Sequence, residues 1–294
     1  MDDAQIERAV RNIESLGLRV KPGANIRLRR GNYAGTVFQQ VQDLHAMFLD
    51  REVRAVWGGR GGSGGSALLP HLDYRMIRAN AKILVGFSDV TALHLAIHRL
   101  AGLVTFHGPA AISTFSSYSV EHLRAVLMEP RAPYVIEGAP ENRRRAAEHP
   151  EFAERTFVPG TATGRLVGGN LSVLTALVGT PYAARLAGRI AFLEEIGEAP
   201  YRINRMMTQL VQGGGLAQAA GAMLGVFTRC VAPPGEASLT LEETLEDQFG
   251  ALRMPSAYGF SFGHIPQHFT IPLGIRARVD ASERTVTLLE AAVG

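Results

Sequence analysis

Lysine is nearly missing from this 294-residue chain: Lys21 and Lys82 are the only two among 30 basic residues, so its positive charge is almost all arginine. Cysteine is scarcer still. Cys230 stands alone, which excludes an intrachain disulfide and a cysteine metal cage, and its apolar neighbours (222–231) predict a small buried side chain. No apolar run reaches the roughly 20 residues of a membrane span. The opening Met1-Asp2-Asp3 lacks the basic and apolar regions of a signal peptide. We therefore expect a cytoplasmic protein without membrane contact. Charge is also modest, at +3 net. The basic clusters at Arg27–Arg30 and Arg143–Arg145 carry no interleaved aromatics, which argues against nucleic acid as a partner.

What remains, 46% hydrophobic and 19% charged residues, suits a globular enzyme large enough for two domains. In the first part, helix and strand patterns alternate. Ile6, Ala9, Val10, Ile13 and Leu16 recur at helical spacing, as do Val37, Val41, Leu44 and Phe48 after a Thr36/Gln39 capping box. Short apolar strands are predicted at 53–57, 82–87 and 103–106. Strands separated by helices imply parallel pairing with helices on both faces. Between 129 and 163 the pattern dissolves among five prolines and the second arginine cluster, and reads as a linker or long excursion. Beyond it, strands at 190–193, 222–227 and 285–289 and helices at 171–178, 201–212 and 241–249 predict a separate mixed α+β domain over 164–294. The first domain, 1–128, reads as an α/β unit with a parallel sheet.

The chemistry concentrates at turns. Val85-Gly86-Phe87-Ser88-Asp89-Val90 takes a strand directly into a helix, so a serine hydroxyl projects beside the helix's first amides. That geometry serves nucleophilic acyl transfer, although Ser88 or Asp89 could equally cap the helix. A glycine-rich loop, Gly58 to Ser66, follows the preceding strand. It offers either a phosphate cradle or an amide for an oxyanion hole shared with the Ser88 turn; no Walker pattern accompanies it. A serine nucleophile needs a base and an orienting acid. His264, in a loop between Gly263 and Pro266, and His107, at a strand end, are candidates for the first. Glu194, Glu195 and Glu198 after an apolar strand are candidates for the second. His94 and His98 stand four apart without a third ligand, and read as helix-face residues rather than a metal site.

Six motifs in order resemble the LD-carboxypeptidases: Arg60-Gly61-Gly62, Gly86 to Leu93, His107-Gly108-Pro109, Gly168-Gly169-Asn170-Leu171, Phe192 to Glu198, and Gly263-His264. The resemblance implies a Rossmann-like N-terminal domain and a β-rich C-terminal domain with the site between them, in a cytoplasmic, metal-independent and cofactor-free serine peptidase acting on murein tetrapeptides, commonly a homodimer. By the same resemblance Ser88 is the nucleophile, His264 the base and Glu194 its orienting acid, with the amides of Gly62 and Asp89 as oxyanion donors. From placement alone, Arg60 and Arg202 are candidates to meet the substrate carboxylate. The microcin C immunity proteins, which cleave an amide in a peptidyl or aminoacyl nucleotide, share the scaffold and give the alternative reading. A non-catalytic anion- or nucleotide-binding protein is the third. Three departures stand out. The chain opens on the first helix without the family's preceding strand, which leaves a sheet edge unpaired unless the true start lies upstream of Met1. Glu195 stands where an aspartate is more usual, and Ser63 where an aromatic is.

Overall fold

In the computed structural model, which describes residues 1–294, the apolar runs of the first part form three parallel strands. They are Ala55–Trp57 (β1), Ile83–Gly86 (β2) and Thr105–His107 (β3), in the order β1–β2–β3. The Thr36 capping box forms as expected and starts the helix Val37–Leu49. The helix Thr91–Ala101 leaves β2 and buries Ala92, Leu95, Ala96 and Ile97 on the face that packs inward. The predicted strands and helices of this part all occur, with ends shifted by one or two residues.

Nine further strands follow: Tyr134–Ile136 (β4), Arg155–Val158 (β5), Thr161–Asn170 (β6), Ile190–Glu194 (β7), Gly221–Val226 (β8), Ser256–Gly263 (β9), Ile271–Leu273 (β10), Arg276–Asp280 (β11) and Thr285–Leu288 (β12). Eight of them form a mixed sheet in the order β4–β12–β11–β6–β7–β8–β9–β5, whose centre, β6 to β9, is parallel. β7 and β8 are buried at every position, as strands covered on both faces must be. The fold is thus α/β in both halves.

The proline-rich stretch 129–163 supplies β4 and β5, the two edges of this sheet. Its prolines punctuate rather than dissolve structure. Pro133 precedes β4, Pro140 and Pro150 open helical turns at the position where a missing N–H costs nothing, and Pro159 sits between β5 and β6.

β10 belongs by sequence to the second half but pairs antiparallel with β3, so Ile271 lies opposite His107. One hydrophobic cluster of 56 buried residues consequently runs through both sheets. At the other end of the first sheet, β1 has β2 as its single neighbour. Its free edge borders a cleft of about 1420 Å³, lined among others by Leu18, Val20, Val56 and Leu84. No helix is long and apolar enough to cross a membrane.

Candidate active site

β2 ends at Gly86, and Ser88 opens a single 3-10 turn before the helix Thr91–Ala101. Its backbone is left-handed, with φ 61°. A non-glycine residue held there is strained, and the sharp strand-to-helix turn that imposes the strain lifts the hydroxyl clear of the sheet.

Two other strands end at the same place. Glu194 is the last residue of β7, and His264 follows the last residue of β9. His264 Nδ1–H donates to Glu194 Oε2 at 2.7 Å. The Ser88 hydroxyl lies 3.1 Å from His264 Nε2, oriented to donate to it. The Glu194 side chain is wholly buried and that of His264 is 16% exposed, so the pair reaches solvent only through the imidazole. The three residues singled out from sequence, drawn from positions up to 176 apart, meet as hydroxyl, imidazole and carboxylate. Such a chain can take a proton from the serine and hold the resulting imidazolium. Phe87 packs its ring 4.8 Å from the imidazole, centroid to centroid, and walls it from behind.

The glycine-rich loop presses directly on Ser88. A Cβ at Gly61 would lie 2.9 Å from Ser88 Cβ and 3.0 Å from its Oγ, so no larger residue fits there. The amides of Gly62 and Asp89 donate to no group of the chain, which leaves them able to receive an oxyanion. The Asp89 side chain ties the two segments together, its Oδ2 accepting from the Gly65 amide at 2.8 Å. Burial raises the Asp89 pKa, and the Gly65 hydrogen bond opposes that rise. Arg60 is exposed and folds back on its own loop, with Nε donating to the Gly61 carbonyl at 3.2 Å. Arg202 is engaged by Glu198 at 3.5 Å and by the Tyr201 hydroxyl. Ser63 accepts from Asn32 Nδ2 at 2.7 Å.

His107 is fully buried, neither nitrogen has a partner, and it stacks edge-on against Phe87, Phe192 and Phe262. Burial, and the neighbouring His268, hold its pKa well below the usual imidazole range, so it is a neutral aromatic filler at working pH. Between the two histidine candidates, the one at hydrogen-bond distance from serine is His264. His94 and His98 each bond a main-chain carbonyl, of Gly86 and Leu103. Cys230 is buried, with its thiol pushed up to about 12.

From sequence, Asn170 and Thr91 stand only as members of motifs and Glu195 only as a candidate acid; in the fold all three are buried and hydrogen-bonded to one another beside the site. The Gly168-Gly169 pair before Asn170 was a usable signal, because adjacent small residues mark a close approach of backbones.

Models of the LD-carboxypeptidase N-terminal and C-terminal domains match residues 1–108 and 163–279. A probable murein peptide carboxypeptidase of Bacillus subtilis (strain 168) is 38% identical over 292 residues, covering 98% of this chain and 88% of the relative. A murein tetrapeptide carboxypeptidase of Pseudomonas aeruginosa is 31% identical, covering 94% and 89%. The crystal structure of muramoyltetrapeptide carboxypeptidase from Oxalobacter formigenes shares the fold, with a TM-score of 0.84 at 24% identity over 100% of this chain and 96% of that one.

Proposed function

The chain belongs to the LD-carboxypeptidase family, and on that premise we propose that it is a serine peptidase releasing the terminal D-alanine of murein tetrapeptides. The observation that carries this reading is the unbroken line of hydrogen bonds from Ser88 through His264 to Glu194.

Ser88 Oγ attacks the carbonyl carbon of the L,D-peptide bond while His264 Nε2 takes its proton. The amides of Gly62 and Asp89 hold the oxyanion of the tetrahedral intermediate. Collapse breaks the C–N bond, and the proton on Nε2 passes to the leaving D-alanine amine. The acyl group stays on Ser88. Water then repeats the sequence, giving its proton to His264 and its oxygen to the acyl carbon, and Ser88 leaves with the proton. Glu194 holds Nδ1–H throughout, which fixes the tautomer and stabilises the imidazolium. Arg60 is the cation proposed to meet the terminal carboxylate. A homodimer in the cytoplasm completes the reading; light scattering of the purified protein tests the first part.

The deciding experiment incubates L-Ala-γ-D-Glu-meso-diaminopimelate-D-Ala with the protein and with Ser88→Ala, followed by mass spectrometry. Loss of one alanine, absent in the variant, is the expected result. If the tetrapeptide survives but an aminoacyl sulfamoyl adenylate is hydrolysed, the substrate is a nucleotide amide instead. Nucleotide binding that survives Ser88→Ala, with no hydrolysis, would make the loop an anion cradle.

A further inference from the structure

Behind the Ser88–His264–Glu194 line a second set of bonds joins the same two elements. Glu195 follows Glu194 on the chain and turns to the opposite face of the strand end, as alternation requires. It is 2% exposed, yet all its acceptor capacity is used. Oε1 accepts from Asn170 Nδ2 at 3.0 Å and from the Ile196 amide at 2.8 Å. Oε2 accepts from the amide and the hydroxyl of Ser172, at 2.8 and 2.6 Å. Asn170 in turn donates its own amide to Thr91 Oγ1 at 3.0 Å. Thr91 is fully buried and opens the helix three residues after Ser88. The nucleophile and the orienting carboxylate are therefore connected twice, in front through His264 and behind through Thr91, Asn170 and Glu195.

We propose that Glu195, Asn170 and Thr91 are positioning residues, a rear brace that fixes the distance from Ser88 to Glu194 and so keeps His264 Nε2 within reach of the serine. The proposal rests on the reading of Ser88 as nucleophile. Four donors converge on Glu195, so its main chain, and with it that of Glu194, has one arrangement. A glutamine there would turn an NH2 against amides that also donate, and the brace would open. A shift of about 1 Å in a catalytic group is enough to cost on the order of 100-fold in rate. Were Glu195 only the anchor of the short helix Leu171–Ala176, its loss would lower stability and leave the reaction of folded molecules unchanged.

The test uses the full chain with Thr91→Val, which keeps shape but removes the acceptor, Thr91→Ser, which keeps the acceptor, and Glu195→Gln. Three quantities are read: kcat and KM on the tetrapeptide, the thermal midpoint, and the downfield proton resonance of His264 Nδ1–H. Thr91→Val and Glu195→Gln are expected to lower kcat by roughly tenfold or more, with KM little changed and the resonance shifted or broadened. Thr91→Ser should behave as wild type, and the Thr91→Val/Glu195→Gln double variant should be no worse than the poorer single. If Thr91→Val keeps kcat and the resonance, or loses only KM or the midpoint, the brace is wrong. Should Glu195→Gln fail to fold, the two threonine variants decide. If the wild type cleaves no tetrapeptide, the peptidase reading fails separately. The resonance still judges the brace, which stands if Thr91→Val moves it and falls if it does not.

Discussion

Gly169 and Thr91 are in contact so close that a Cβ on the glycine would lie 2.5 Å from both Oγ1 and Cγ2 of the threonine. Here β6, from the larger sheet, meets the helix that follows the Ser88 turn. Gly169 also has φ 141°, which side-chain-bearing residues rarely adopt. Gly169→Ala must therefore both strain the backbone and push the two sheets apart. We expect a loss of about 3 kcal/mol, combining overpacking and backbone strain, read as a lower midpoint in urea unfolding. Activity should fall in the molecules that remain folded. An alanine variant with the wild-type midpoint would show that this contact yields freely.

Glu194 is wholly buried, and its one hydrogen-bonded oxygen faces His264 Nδ1. A glutamine amide nitrogen placed there cannot accept and would force the wrong tautomer, while its oxygen placed there keeps the bond but loses the charge that stabilises the imidazolium and leaves a buried NH2 without a partner. Glu194→Gln is expected to lower kcat by roughly 10³ to 10⁴, the scale seen when a triad acid becomes its amide. The midpoint should move little, since shape is kept. Steady-state kinetics on the tetrapeptide with a parallel thermal melt checks both.

The alternation of β1, β2 and β3 with helices was legible because each strand is a short apolar run and each helix carries its own periodicity or cap. The Ser88 turn was legible for the same reason, as a strand signal running into a helix signal without a loop. Other parts left no such trace. β6 contains Thr161, Thr163, Gly164 and Arg165 before its buried end, so its outer half looks like loop. β10 is three residues long, and nothing in them says that they pair with β3 across the molecule. Strand order is a property of packing rather than of local pattern. Spacing likewise left Glu194, Glu195 and Glu198 open. The resemblance selected Glu194, and in the fold strand alternation sends it towards His264 and Glu195 towards Asn170.

Asp89 holds the glycine-rich loop to the serine turn through one bond to the Gly65 amide. Removing that acceptor lets the Gly62 amide drift from the position where an oxyanion forms. Loss of a whole oxyanion donor costs about 10²- to 10³-fold. Asp89→Ala, which loosens one rather than deletes it, should cost about 10- to 100-fold in kcat. Asp89→Asn keeps an acceptor and should stay near wild type. Equal losses in both variants would mean that the charge matters and the tether does not.

Stability should fall as pH drops below the normal imidazole range. Burial lowers His94 and His122 to about 4 and His268 to about 3, and depresses His98 and His107 as well, from an ordinary 6.5. In that window the unfolded chain binds protons that the folded one refuses. Each such group then removes up to about 1.4 kcal/mol per pH unit. Their contribution is whole above pH 6.5 and is lost progressively towards pH 4. Asp89 and Glu195, raised by burial, act in the opposite sense, but they are two groups against five. Urea midpoints measured from pH 7.5 to 4.5 should decline steadily. A flat profile would mean that these histidines are not held neutral.

The helix Asp3–Glu14 is the element expected to open first. Its inward face offers Ile6, Ala9 and Ile13, of which Ala9 and Ile13 join a cluster completed by Ala111, separate from the main core. The cleft of about 1420 Å³ lies against the same face. What ties the helix down is polar: the Asp2/Gln5 capping box, and Asn12 Nδ2 donating to the carbonyls of Ala111 and Ser113 at 2.7 and 2.9 Å. Helices of 12 residues are marginal without tertiary burial. Its amides should therefore exchange with solvent by local opening, well before those of the helix Thr91–Ala101, whose opening requires global unfolding. Asn12→Ala should speed exchange in residues 3–14 further while leaving the global midpoint nearly unchanged. Hydrogen-exchange mass spectrometry reads both, and equal protection of the two helices would show that the small cluster is as firmly held as the main core.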